Sequence, residues 1–125
     1  MNGEILIFDK SKEAGESLAK EIRSAYRRLS GAVFTVLYPE EVFTNPLPEN
    51  PIAAFFVLSG MYDSEAARKF HTICKSVPVV IVSENSGNAI MSYDWGVCDY
   101  LVRPFGKERL TEALKRCTVR KYLAG

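Results

Sequence analysis

Five short apolar runs punctuate the chain, each closed by polar or turn-forming residues: EILIF at 4–8, AVFTVLY at 32–38, IAAFFVL at 52–58, VVIVS at 79–83 and DYLV at 99–102. Runs of this length, rich in β-branched and aromatic residues, predict strands. IAAFFVL does not alternate with polar residues, as expected of a strand covered on both faces. The segments between follow a helical period. Ala14, Leu18, Ile22, Tyr26 and Leu29 recur every three or four positions after Ser11, a good capping residue, with Gly31 placed to end the helix. Asp63 is placed to cap a helix with Ala66, Phe70, Ile73 and Val77 on one face. NSGNAIMSYDWG predicts a short, weaker helix closed by Gly96, and a last helix runs from about Lys107 toward Tyr122. PEEVFTNPLPENP carries four prolines, so at most one helical turn fits, around residues 40–43. The second helix is therefore shortened.

Strands alternating with helices predict an α/β fold: a doubly wound, five-stranded parallel sheet with helices on both faces. Ligands in such folds gather beyond the carboxyl ends of the strands. The positions to weigh are Asp9 and Lys10, then 58–60, then Ser83 and Glu84, then Arg103 and Pro104.

Length and composition narrow the classes. A chain of 125 residues, 47% hydrophobic and 25% charged, is read as one globular domain over residues 1–125. A net charge of +1 does not advertise nucleic acid or an anionic membrane. No apolar run approaches the 18 or so residues of a membrane span, and MNGEILIFDK does not look like a signal peptide. Cys74, Cys98 and Cys117 are odd in number and form no C-x-x-C pair, which points to reduced thiols in a cytoplasmic protein rather than a metal or disulfide framework.

Enzyme chemistry finds little support. No glycine-rich phosphate-binding motif follows any strand, and DKSKEAG is a poor flavin turn. His71, the only histidine, sits on a helix away from the strand ends, a solvent-facing or rim position rather than a base. Among the strand-end positions only Asp9 and Glu84 are acidic, and Lys10 would repel a cation. The reading is of a non-enzyme without cofactor or metal.

The span VCDYLVRPFGKERLTEALKRC resembles the fifth strand and last helix of response-regulator receiver domains, the phosphoryl-accepting modules of two-component signalling; PVVIVSE and EILIFDK extend the likeness over the whole chain. The resemblance implies strand order 2-1-3-4-5. It also implies where function resides. Receivers place two adjacent acids after the first strand to hold Mg²⁺; Asp9 matches the first and Lys10 replaces the second. Their acceptor aspartate ends the third strand, a position that falls near Val57, and nothing between Pro51 and Tyr62 is acidic. Ser83 keeps the fourth-strand hydroxyl, Glu84 stands where a small residue is expected, and Tyr100 matches the switching aromatic. The family's lysine and cis-proline correspond to Arg103 and Pro104. Arg103 then either pairs with Asp9 and Glu84 or points into water.

The resemblance therefore implies a degenerate pseudo-receiver: a phosphorylation-independent interaction module in bacterial signalling, speaking to another signalling protein or a fused output domain. Two alternatives remain open, a phosphoryl acceptor displaced to Ser59 or Asp63, and a small-anion or nucleotide sensor using Lys10 and Arg103. Tyr93, Trp95 and Tyr100 form a candidate interaction face, unless Trp95 packs back on the sheet. Leu110, Ala113, Leu114 and Cys117 make the inward stripe of the last helix, whereas Val119, Tyr122 and Leu123 cluster opposite. Either that helix frays after Cys117 or those three residues form a patch, for instance for a homodimer. Lys115, Arg116, Arg120 and Lys121 complement its dipole. Glu16 and Lys20 are spaced for an i,i+4 pair on the first helix, whose basic residues read as a solvated face.

Overall fold

The computed structural model describes residues 3–44, 46–59, 61–87 and 89–124, with the backbone alone at 61, 62 and 118–124. Five parallel strands, β1 (Glu4–Phe8), β2 (Val33–Leu37), β3 (Ala53–Val57), β4 (Val79–Ser83) and β5 (Asp99–Val102), lie in the order β2-β1-β3-β4-β5. The helices are α1 (Lys12–Ala25), α2 (Glu41–Thr44), α3 (Met61–Ile73), α4 (Ala89–Asp94) and α5 (Lys107–Ala124).

Alternate strand residues feed two cores. Ile5, Ile7, Phe55 and Val80 pack against Leu18 and Ile22 of α1 and Leu110 and Leu114 of α5. Leu6, Phe8, Phe56 and Ile81 meet Val42, Ala66 and Phe70 from α2 and α3. Covering both faces is what makes the strand sequences continuous apolar runs. Phe8 and Phe56 stack at 4.3 Å between centroids, and Phe70 closes on both rings.

The predicted elements are all present, with local corrections. Ser11 caps α1, its hydroxyl accepting from the Ala14 N–H at 3.2 Å. That helix stops at Ala25 rather than before Gly31, because Tyr26 turns extended (φ −137°, ψ 100°) and a 3-10 turn at Arg27–Leu29 follows. Leu29 stays buried nonetheless. The prolines leave α2 a single turn. Gly15 lets α1 approach the sheet, since a Cβ there would sit 2.6 Å from Val36 Cγ1. Gly96 ends α4 at φ +102°, in the left-handed region that favours glycine. The α5 backbone is helical through Ala124, so it does not fray at Cys117; the side chains of Val119, Tyr122 and Leu123 lie outside the described residues. Cys117 donates its S–H to Cys98 Sγ at 3.1 Å, tying α5 to the start of β5 within the core.

Candidate functional site

The carboxyl ends of β1, β3, β4 and β5 bring Asp9, Lys10, Val57, Ser83, Glu84, Arg103 and Pro104 to one end of the sheet. Asp9 follows β1 and is 6% exposed; its Oδ1 accepts from the Ser11 N–H at 2.9 Å as the chain turns into α1. Burial pushes its carboxyl above the usual range, outweighing the Ser11 N–H and the Arg103 charge that pull it down, and the Asp63 charge adds to the rise. Val57 is the last residue of β3, paired with Val82 and half-buried against the core. Ser83 ends β4, buried, its hydroxyl accepting from the Asn85 N–H at 3.3 Å.

Asp63 is not the cap predicted for α3. It lies within the first turn, wholly buried, and reaches back so that Oδ2 accepts from the Ser59 N–H at 2.9 Å and the Ser59 hydroxyl at 2.8 Å. Lys10 Nζ approaches the same oxygen at 4.0 Å, while Asp63 Oδ1 is buried with no hydrogen bond. The second acid of this pocket is therefore Asp63, not Glu84, which is exposed.

Arg103 also departs from expectation. Its backbone N–H donates to Ser83 O at 2.8 Å, and its bond to Pro104 is cis. The guanidinium pairs with neither Asp9 nor Glu84. It turns toward α1, 3.8 Å from Glu21 and 5.1 Å above the Phe105 ring. Sequence spacing hides Glu21, because only the packing of α1 beside the β5–α5 loop brings it near.

The predicted aromatic face divides. Tyr100 is buried and donates its hydroxyl to Asn85 O at 3.0 Å. Trp95 packs back against the core, its ring 5.3 Å from that of His71, which is half-buried and has an Nδ1 with no hydrogen bond. What remains exposed is Ile90, Met91, Tyr93 and Val102, at 80%, 67%, 48% and 37%.

Behind that face lies a cluster the sequence reading missed. Asp99, fully buried at the start of β5, takes both arms of Arg109 (2.9 and 2.6 Å), Arg116 at 3.0 Å, the Tyr93 hydroxyl at 3.1 Å and the Tyr100 N–H at 2.8 Å. Burial raises such a carboxyl, but the Arg109 fork and the other donors outweigh it and hold Asp99 below the usual range. Arg116 thus serves Asp99 and Glu112 rather than only the helix dipole. The signal was present: an acid opening an apolar strand, and arginines seven residues apart on one face of the following helix.

In sequence, no known family matches the chain and no curated protein does. In structure, the likeness is to response-regulator receiver domains. A CheY-like receiver domain protein from Methanospirillum hungatei JF-1 superposes with a TM-score of 0.77, over 100% of both chains at 18% identity. The receiver domain of a sensor histidine kinase from Pseudomonas aeruginosa PAO1, solved with magnesium in its active-site cleft, gives 0.73 at 19% identity over 95% of this chain and 99% of that one. NtrX from Brucella abortus, solved with ATP, gives 0.74 at 16% identity; the match takes in 99% of this chain and 28% of that one. The chain has the receiver fold.

Its strand-end residues fit a divalent cation poorly. Lys10 stands beside Asp9 where a second acid would be needed, and its ammonium already sits 4.0 Å from Asp63. Hard cations of the Mg²⁺ kind ask for about six oxygen ligands. Among the described residues, no three His, Cys, Asp or Glu side chains cluster as metal ligands do.

Proposed function

We propose that this chain is a receiver-like interaction module in bacterial signal transduction whose output does not pass through phosphorylation. The observation that carries this reading is the make-up of the strand-end pocket: β3 ends in Val57 without a carboxylate, and Lys10 stands where a second acid is expected, its ammonium 4.0 Å from Asp63. Phosphoryl transfer depends on metal and cationic groups free to stabilise charge on the moving phosphoryl. Here Lys10 leans on Asp63 and Arg103 on Glu21. The same engagement argues against an anion sensor built on those two cations.

Function then falls to a surface. Ile90, Met91, Tyr93 and Val102 present exposed apolar area on α4 and the end of β5, backed by the Asp99 cluster that fixes α4, β5 and α5 together. The partner is another signalling protein or an output domain on the same chain, in the cytoplasm; the match to a fraction of the longer NtrX chain supports the second arrangement. Among the described residues, no helix is long and apolar enough to cross a membrane.

A displaced acceptor is the second reading, favoured by the unbonded Asp63 Oδ1 and the exposed Ser59. Intact mass after incubation with Mg²⁺ and acetyl phosphate separates the two. An unchanged mass is expected. A gain of one phosphoryl group, lost in Asp63→Asn or Ser59→Ala, would overturn the proposal.

A further inference from the structure

The opposite margin of the sheet carries a surface that owes nothing to the α4–β5 face. β2 is an edge strand, bonded to β1 alone. Protein edges are commonly blunted by proline, a bulge or an inward charge. VFTVL has none of these, and Val33 is 61% exposed. The Val33 N–H donates to Gly3 O and Leu37 O accepts from the Asp9 N–H, so the odd-numbered residues face β1. By alternation, Phe34 and Val36 turn their backbone groups to the open side.

A groove of about 400 Å³ runs beside this edge, floored by Phe34, Thr35 and Val36 and walled by Lys12, Glu16, Lys20 and Arg23 of α1. Glu16 is spaced to pair with Lys12 or Lys20 and pairs with neither; among the described residues no carboxylate comes within ion-pair distance of Lys12, Lys20 or Arg23. The Arg23 guanidinium instead lies 4.4 Å above the Phe34 ring. Glu4, the other acid at this margin, accepts from the Thr35 hydroxyl. The wall thus holds three cations against one acid.

We propose that this margin binds an extended acidic segment of a partner protein, added as a sixth strand on β2 with its carboxylates against Lys12, Lys20 and Arg23. The open Phe34 and Val36 backbone groups supply the main-chain bonds of strand addition, and the cations supply selection among peptides. The spacings agree. Lys12 and Lys20 lie about 12 Å apart along the helix axis, and same-face strand residues four apart lie about 13 Å apart. A nucleic acid answers the charge but not the strand edge, having no backbone that completes a sheet.

The test uses the whole chain and a fluorescein-labelled decapeptide of alternating threonine and glutamate, with a threonine–lysine peptide and a single-stranded oligonucleotide of equal charge as controls. Saturable binding of the acidic peptide is expected, with slowed amide exchange at Phe34 and Val36. Affinity should fall at least tenfold in Lys20→Glu/Arg23→Glu and hold in Lys69→Glu and in Ile90→Asp, which alters only the α4–β5 face. Two results overturn the proposal: no saturable binding of the acidic peptide, or binding matched by the oligonucleotide without protection at Phe34 and Val36. The first leaves the α1 cations as guards that keep other strands off the edge; the second makes them a site for polyanions.

Discussion

Asp99 and Asp63 are both wholly buried, at opposite ends of one sheet, and their surroundings differ sharply. Asp99 has donors for both oxygens, from two arginines, a tyrosine and a backbone amide, whereas Asp63 spends one oxygen on Ser59 and leaves the other without a hydrogen bond. Buried charge is tolerated where its hydrogen-bonding capacity is met, and is a source of strain in the energy balance where it is not. The chain has thus completed its polar chemistry behind α4, β5 and α5. At the strand ends the acids are served less fully: Asp9 takes the Ser11 N–H, and Asp63 takes the two Ser59 donors with the Lys10 ammonium 4.0 Å away. That asymmetry is what the proposal of a domain working through its faces rests on.

The comparison can be broken most directly at Asp99. Asp99→Ala strands Arg109, Arg116 and the Tyr93 hydroxyl around an empty site, at a cost of about 3 kcal/mol, the low end for a broken buried pair because both arginines keep one side in water. Urea unfolding measures it. Asp63→Ala loses the two Ser59 bonds but also removes an unsatisfied buried oxygen, so the expected loss is about 1 kcal/mol. A loss at Asp63 equal to that at Asp99 would erase the contrast.

Acid titration sharpens the contrast through its signs. Asp99 has a depressed carboxyl, so its contribution is present above its unfolded value and is lost as pH falls through the folded one. Asp9 has a raised carboxyl, so its contribution is present in acid and is lost as pH rises through the folded value. Asp9→Asn should therefore be more stable than the parent at pH 7 and equal to it near pH 3, with unfolding midpoints followed across that range. The smallest effect belongs to Arg103→Ala. Its contact with Glu21 is 3.8 Å long and both side chains are partly exposed, so stability should change by less than about 0.5 kcal/mol.

Most of the fold was legible because it rests on periodicity: five apolar runs, two covered faces, and prolines that cut α2 to one turn. The strand-end positions followed from the same pattern, and Asp9, Ser83 and Arg103 stand where the chain order puts them. The partners were less legible. Glu21 reaches Arg103, and Asp63 folds back toward Ser59 and Lys10, through packing that no spacing rule encodes. Trp95 and Tyr100 look like interface aromatics in sequence, but the sheet's second face had room for both. The apolar residues left outside, Ile90 and Met91, were hidden within a helix too short for a clear period.

The most direct test of the account is a titration with beryllofluoride and Mg²⁺, read by the backbone amides of Asp9, Leu58, Ser83 and Arg103 together with the Trp95 indole. The account predicts no saturable shift at any of them, because β3 brings no carboxylate to the pocket and the Lys10 ammonium already stands 4.0 Å from Asp63. A saturable, Mg²⁺-dependent shift at the strand-end amides, relayed to Trp95, would contradict it and return the phosphoryl switch to this chain.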